Sequence, residues 1–95
     1  MSGQTLTLRV ITPSGLALEE RVSTVVLKGD LGEFGILAGH VPMVSTIVEG
    51  EMRYESSGGS GSFIARGGIT EVRDDTVTVL TKAVESPGDG AGKTD

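Results

Sequence analysis

The chain has 95 residues, a net charge of −5 and no cysteine. That length suits one small domain, and the lack of cysteine excludes disulfides and thiolate metal sites. The acidic balance argues against a nucleic-acid partner, and the absence of a signal pattern or of any apolar run near ~20 residues predicts a cytoplasmic protein with no direct membrane insertion.

The first third of the chain alternates apolar and polar residues, which predicts β-strands. The first strand runs from Leu6 to Val10, and Thr12-Pro13-Ser14-Gly15 then forms a turn. Leu16 and Leu18 open a short second strand that ends in charged residues. The segment from Val22 to Lys28 is rich in β-branched residues and predicts a third strand.

The segment from Gly32 to Met43 is the most distinctive part of the chain. It holds three glycines, a proline and the only histidine, His40. Glycines at this spacing indicate backbone bends that a side chain would obstruct. The segment therefore predicts a shaped loop whose structural residues are Gly32, Gly35, Gly39 and Pro42.

The second half of the chain continues the alternation with two interruptions. The Gly/Ser run from Ser56 to Ser62 predicts a loose hairpin loop. At Gly67-Gly68 we expect a bulge or a close backbone approach, and Asp74-Asp75 predicts a tight turn. The strands of this half are predicted at 43–48, 51–55, 63–66, 69–73 and 76–81.

These patterns predict an all-β fold. Nowhere before residue 84 does a 3.6-residue period run for ten residues free of glycine and β-branched clusters. About eight to ten short, mostly antiparallel strands are typical of a two-sheet β-sandwich. We place this sandwich domain at residues 1–85 and expect a disordered polar, Gly-rich tail at 86–95.

The chain shows no pattern that predicts catalysis, a cofactor or a metal. The stretch from Gly88 to Thr94 resembles a phosphate-binding P-loop, but Pro87 stands where that motif requires its first glycine. The surroundings of Ser60 do not make a nucleophile elbow, because Ser62 occupies the last glycine position. One histidine without cysteine excludes the usual zinc sites. We therefore expect a protein that is not an enzyme.

The segment from Gly32 to Met43 resembles the signature of the epsilon subunit of F-type ATP synthases, whose mitochondrial counterpart is called delta. That signature reads Gly-Glu-φ-Gly-φ-φ-x-Gly-His-x-Pro-φ, where φ is apolar, and Ala38 stands where the family usually has proline. The similarity extends over roughly residues 6–84, because further segments match the family in the same order. These segments are Leu8–Pro13, Val22–Lys28, Ile47–Met52, Gly67–Val72 and Val77–Leu80.

The resemblance implies a non-catalytic central-stalk subunit that docks gamma onto the c-ring and couples ion translocation to ATP synthesis. Such a subunit is peripheral, at the cytoplasmic face of the bacterial inner (plasma) membrane. By position in the motif, Glu33 is implied to face the c-ring, and Thr12, His40 and Ser45 to lie near gamma. His40 equally fits a turn residue that hydrogen-bonds its own backbone.

The C-terminal helical hairpin of the family is missing from this sequence, so the inhibition of ATP hydrolysis and the nucleotide binding that depend on it are not expected. We expect Phe34, Ile36 and Leu37 to serve as core or loop-anchoring residues.

The alternative function is a free-standing β-sandwich module that binds a small acidic or carbohydrate ligand, although three aromatic residues are few for such a pocket.

Overall fold

The computed structural model describes residues 4–86, which form eight strands and no helix. This confirms the predicted all-β class and the predicted number of strands. The tail predicted at 86–95 lies outside the described residues, except for Ser86. The strands are β1 (Leu6–Thr12), β2 (Gly15–Val22), β3 (Thr24–Gly29), β4 (Gly32–Leu37), β5 (Met43–Ser56), β6 (Gly59–Arg73), β7 (Thr76–Leu80) and β8 (Val84–Glu85).

Two long strands, β5 and β6, join the two layers of the sandwich. Each was predicted as two short strands, but each runs without a break and pairs with the other along its length. One half of this pair continues through β7 and β1 to β2, and the other half continues through β3 to β4. The edges of the sheet are therefore β2 and β4. The pairing of β1 with β7 is parallel, and the remaining described pairings are antiparallel.

The Gly67-Gly68 pair interrupts the pairing of β6 with β5. Both residues have positive φ, 82° and 131°, and one residue on each strand, Val48 and Gly67, is left out of the pairing without a change of register. A Cβ built on Gly68 would lie 2.0 Å from the carbonyl oxygen of Leu80. Of the two expected features, the structure contains the close backbone approach, whereas the unchanged register shows that there is no bulge.

The core lies between the layers and is almost entirely aliphatic. Alternate residues of β1, β3 and β7 point inward, as the period of two requires. Burial of such a side chain contributes about 1.5–3 kcal/mol of transfer free energy. Thr70 and Thr81 are the buried polar residues of the described part of the chain, and the Thr70 hydroxyl donates a hydrogen bond to the Thr78 carbonyl oxygen at 3.1 Å. The buried apolar residues are Leu6, Leu8, Val10, Val22, Val25, Leu27, Ile36, Ile47, Met52, Phe63, Ala65, Val72, Val77 and Val79.

The Gly/Ser run is strand rather than the predicted loose loop. Only Ser57 and Gly58 separate β5 from β6, and the pairing continues to Ser56 and Gly59. Gly61 pairs with Tyr54, whose hydroxyl would lie 2.4 Å from a Cβ at position 61. The aromatic ring covers the glycine and compensates for its poor strand propensity, an effect that no local pattern in the run reveals.

The β6–β7 connection confirms the predicted tight turn. Asp74 and Asp75 have φ of 50° and 55° and lie between the paired residues Arg73 and Thr76. Two central residues with positive φ define the two-residue hairpin turn that matches strand twist, and aspartate tolerates this conformation better than most residues. The turn fixes the direction of the Asp75 side chain, which matters for the neighbouring loop.

Candidate partner-binding site

The signature segment is half strand and half loop. Gly32 to Leu37 form the edge strand β4, paired with β3, and the loop proper is limited to 38–42. Ile36 is fully buried and Phe34 is partly buried against the core. Leu37, which we expected to be an anchor, is 60% exposed because it lies on the outward phase of the strand. The segment is therefore a rigid edge followed by a short turn.

Glu33 lies on the outer face of β4 and is paired with an arginine two strands away. The guanidinium of Arg53 on β5 donates to both carboxylate oxygens, at 3.0 and 3.1 Å. These hydrogen bonds, together with the charge of Arg53, hold the pKa of Glu33 below its ordinary value of 4.5. The sequence predicted Glu33 as a contact residue but gave no sign of its partner, since the two residues are 20 positions apart.

His40 lies in the loop and is engaged with its own backbone. Its amide donates to the Leu37 carbonyl oxygen at 3.1 Å, which closes the turn after β4. Its ring Nδ1 lies 2.7 Å from the carbonyl oxygen of Val41, a contact that requires Nδ1 to carry the proton. This is the turn role that the sequence left open beside a partner contact. The contact with gamma stays a prediction.

Asp75 holds the loop in place from the far side of the sequence. Its Oδ1 accepts a hydrogen bond from the amide of Gly39 at 2.7 Å, across 36 positions of the chain. Gly39 has φ of 86°, so the amide is presented by a backbone conformation that favours glycine. Sequence reasoning missed this role, because the only signal was the Asp-Asp pair, which indicates a turn and not its neighbour.

The other predicted structural residues of the segment differ in what they do. Gly32 has φ of 120°, and a Cβ added there would meet no atom within 4 Å, so its backbone alone favours glycine. Gly35 has an extended backbone, and a Cβ there would meet only the Val25 carbonyl oxygen at 4.0 Å. Neither conformation nor packing requires glycine at 35, in contrast to the predicted structural role. Pro42 is exposed and immediately precedes β5.

The predicted contact residues do not all lie together. Glu33, His40 and Ser45 line one open groove of about 640 Å³ between the β3–β4 hairpin and the start of β5. The Ser45 hydroxyl donates to the Thr46 carbonyl oxygen at 3.1 Å. Thr12 lies elsewhere, in the β1–β2 turn, where its hydroxyl accepts from the amide of Ser14 at 3.1 Å. The structure therefore brings together three of the four residues.

An exposed apolar row crosses the sheet beside Thr12. Leu16, Ile11, Leu80 and Ile69 pair in sequence across β2, β1, β7 and β6, so their side chains point to the same outer face. Three of these four are 46–51% exposed. Apolar residues at the outward-facing positions of adjacent strands can be recognised from the alternation of apolar and polar residues, but this row was not predicted from the sequence.

Within residues 4–86, no group of three or more histidine, aspartate or glutamate side chains is placed to hold a metal ion. The same residues contain no helix long and apolar enough to cross a membrane. Several acidic and basic groups form pairs across strands, such as Arg9 with Glu19 and Arg66 with Glu49 and Glu85.

Comparison with known proteins identifies a family for this architecture. Residues 5–87 match the family model described as ATP synthase, Delta/Epsilon chain, beta-sandwich domain. This range includes all eight strands, from Leu6 to Glu85.

Curated relatives carry the same description. The chain is 44% identical over 85 residues to the ATP synthase epsilon chain of Desulfitobacterium hafniense, covering 90% of this chain and 64% of that one. It is 39% identical over 83 residues to the ATP synthase epsilon chain of Bacillus pumilus, covering 87% and 63%. The chain thus spans less than two thirds of the length of these relatives.

Solved structures repeat the fold. A chain in the cryo-EM structure of the Euglena gracilis mitochondrial ATP synthase, OSCP/F1/c-ring in rotational state 1, superposes with a TM-score of 0.83 at 25% identity, covering 90% of this chain and 55% of that chain. A chain in the cryo-EM structure of the Tetrahymena thermophila mitochondrial ATP synthase central stalk/c-ring gives a TM-score of 0.75 at 17% identity, covering 99% and 75%, and shows the shared fold alone.

Proposed function

This chain belongs to the ATP synthase delta/epsilon β-sandwich family, and on that premise we propose that it is a non-catalytic central-stalk subunit of a rotary F-type ATP synthase. In this role it docks gamma onto the c-ring and couples ion translocation to ATP synthesis. The observation that carries the proposal is the match of the family model over residues 5–87, which contain every strand of the sandwich.

The surfaces of the sandwich suit a docking role. Two partners that turn together need a rigid body between them, and the β5–β6 pair ties both layers into one hydrogen-bonded sheet. The described residues offer paired charges, an apolar row and an open groove, all of which suit contact with proteins.

We assign the two partners to different residues of the groove. Glu33, on the edge strand β4, faces the polar loops of the c-ring. His40 and Ser45, which line the same groove, face gamma. Thr12 also faces gamma. It is next to Ile11 of the apolar row, and this row supplies the hydrophobic part of the gamma contact.

The proposed location follows from these partners. The chain is held at the membrane through the complex and lies on the cytoplasmic face of the bacterial inner (plasma) membrane. Its attachment is peripheral, because contact is made with the exposed loops of the c-ring rather than with lipid.

Co-expression with gamma and the c-ring of its own synthase tests this function. We expect the full chain to co-purify with gamma and to restore coupled ATP synthesis in membranes whose own epsilon subunit is absent. A chain that folds but neither binds gamma nor restores synthesis overturns the proposal. Binding of a small acidic or carbohydrate ligand by the isolated chain would instead favour the free-standing module.

A further inference from the structure

The pair between Glu33 and Arg53 spans three strands at the exposed edge of the sandwich. Arg53 pairs with Val26 of β3, and Val26 pairs in turn with Gly35 of β4. Glu33 lies two residues before Gly35 in β4, so the guanidinium of Arg53 crosses β3 diagonally to reach the Glu33 carboxylate. Both carboxylate oxygens are engaged, at 3.0 and 3.1 Å. Such a two-pronged contact fixes the plane of the carboxylate as well as its position.

Stability does not account for this pair. The two side chains are 45% and 48% exposed, and an ion pair in that setting contributes little because water and salt screen it. The same exposure leaves both groups accessible to a partner. Their geometry is therefore better explained by what the carboxylate presents outward.

Arg53 changes the chemistry that Glu33 offers. The pair has no net charge, and Lys28 and Glu51 add one charge of each sign nearby. An incoming lysine or arginine would have to displace Arg53 or lie beside its positive charge. A neutral donor meets no such obstacle, because an ionised carboxylate has about four acceptor positions and Arg53 uses only two.

We propose that Arg53 positions Glu33 and neutralises its charge, so that this edge accepts hydrogen bonds from neutral amide, hydroxyl or backbone N–H donors on the polar loops of the c-ring rather than from cationic side chains. The inference rests on the proposed function, since it concerns the same surface and names the chemistry of its partner. It makes Arg53 a positioning residue for the contact.

The sign of a single substitution separates the two kinds of partner. In Arg53→Gln, a neutral donor loses an oriented acceptor, and we expect retention of the full chain by a gamma–c-ring complex to fall about fivefold. Arg53→Lys should not restore it, because an ammonium lacks the planar fork. A cationic partner predicts the opposite result, since an unpaired carboxylate would bind it more tightly. Tighter binding by Arg53→Gln therefore overturns the inference.

The salt dependence of retention and a double substitution test the inference further. Retention of the unaltered chain should change little between low and high salt, whereas a steep fall indicates a cationic partner. Glu33→Gln should weaken retention as much as Arg53→Gln, and the double variant no further, because the residues act as one unit. Arg9→Gln, which removes an exposed ion pair with Glu19 on the other layer, is the matched control and should leave retention unchanged.

Two readouts keep this test separate from folding and from the proposed function. Unfolding midpoints should agree among all variants, and the titration midpoint of the Glu33 carboxyl, followed by NMR, should lie below 4.5 and rise in Arg53→Gln. An unmoved midpoint overturns the positioning role. If the unaltered chain is not retained at all, the proposed function fails; if it is retained and the variants match it, only the inference fails.

Discussion

Two glycine-rich regions, the Gly67-Gly68 pair of β6 and the signature segment around β4, look alike in sequence but are constrained differently. At the pair, Gly68 faces backbone: a Cβ there would lie 2.0 Å from the Leu80 carbonyl oxygen. In the signature segment, Gly32 and Gly39 face open space, and only their positive φ favours glycine. Gly35 has neither constraint. Gly68 of the central strand β6 is thus constrained by a close backbone approach as well as by its φ, whereas Gly32 and Gly39 are constrained by dihedral angle alone, which leaves the edge free to contact partners.

The largest effect is expected from Gly68→Ala. The added methyl group meets a backbone carbonyl that cannot rotate away, at a φ of 131°. We expect the free energy of unfolding to fall by about 3 kcal/mol or more, as measured by chemical denaturation. Gly58→Ala is the control, because its Cβ position has no neighbour within 4 Å. Equal stability of the two variants would show that packing does not require glycine at position 68.

Gly39→Ala tests the dihedral half. With φ of 86° and no neighbouring atom within 4 Å, alanine at 39 suffers only backbone strain. We expect a loss of about 1–2 kcal/mol in the free energy of unfolding, smaller than that of Gly68→Ala. A loss as large as at Gly68 would show that the loop is packed as tightly as the backbone around Gly68.

The support of the loop from the β6–β7 turn predicts a smaller effect. Asp75→Gly keeps the positive φ but removes the 2.7 Å hydrogen bond to the Gly39 amide. We expect a loss of about 0.5–1.5 kcal/mol and faster hydrogen exchange at that amide. Asp74→Gly is the matched variant, since it changes the same turn without touching the loop. If both variants behave alike, Asp75 acts only as a turn residue.

Gly35→Ala is the smallest change and the sharpest test of the open edge. Alanine is favoured over glycine inside a strand, so the free energy of unfolding should stay unchanged or rise by about 0.5 kcal/mol. A loss above about 1 kcal/mol would mean that the fold requires glycine at position 35, which neither its backbone conformation nor its neighbours indicate. Weaker docking at unchanged stability would instead place Gly35 in the partner surface.

The sequence predicted local features better than long-range ones. The Asp74-Asp75 turn, the close backbone approach at Gly67-Gly68 and the inward phase of most strands follow from residue types and a period of two. The Gly/Ser run was misjudged as a loop because its strand pairing depends on Tyr54, which lies across the hairpin. Leu37 was misjudged because a core role was inferred from its apolar character rather than from its phase in β4.

The candidate site shows the same division. Glu33 and His40 stood out within the motif, yet their partners in the fold, Arg53 and the Val41 carbonyl, were not predicted. Thr12 was grouped with His40 by resemblance, whereas the structure separates the two into different grooves. A motif lists residues in order along the chain and does not contain the distances between them.

The sequence by itself determined the strand periodicity, the turns and the family, because these depend on residue types at short spacing. Only the tertiary structure decided what each residue of the signature segment faces. The pairing of Arg53 with Glu33, the capping of Gly39 by Asp75 and the approach of Gly68 to Leu80 join residues 12 to 36 positions apart. Such contacts arise from strand order and register, which are fixed when the two layers close over a shared core.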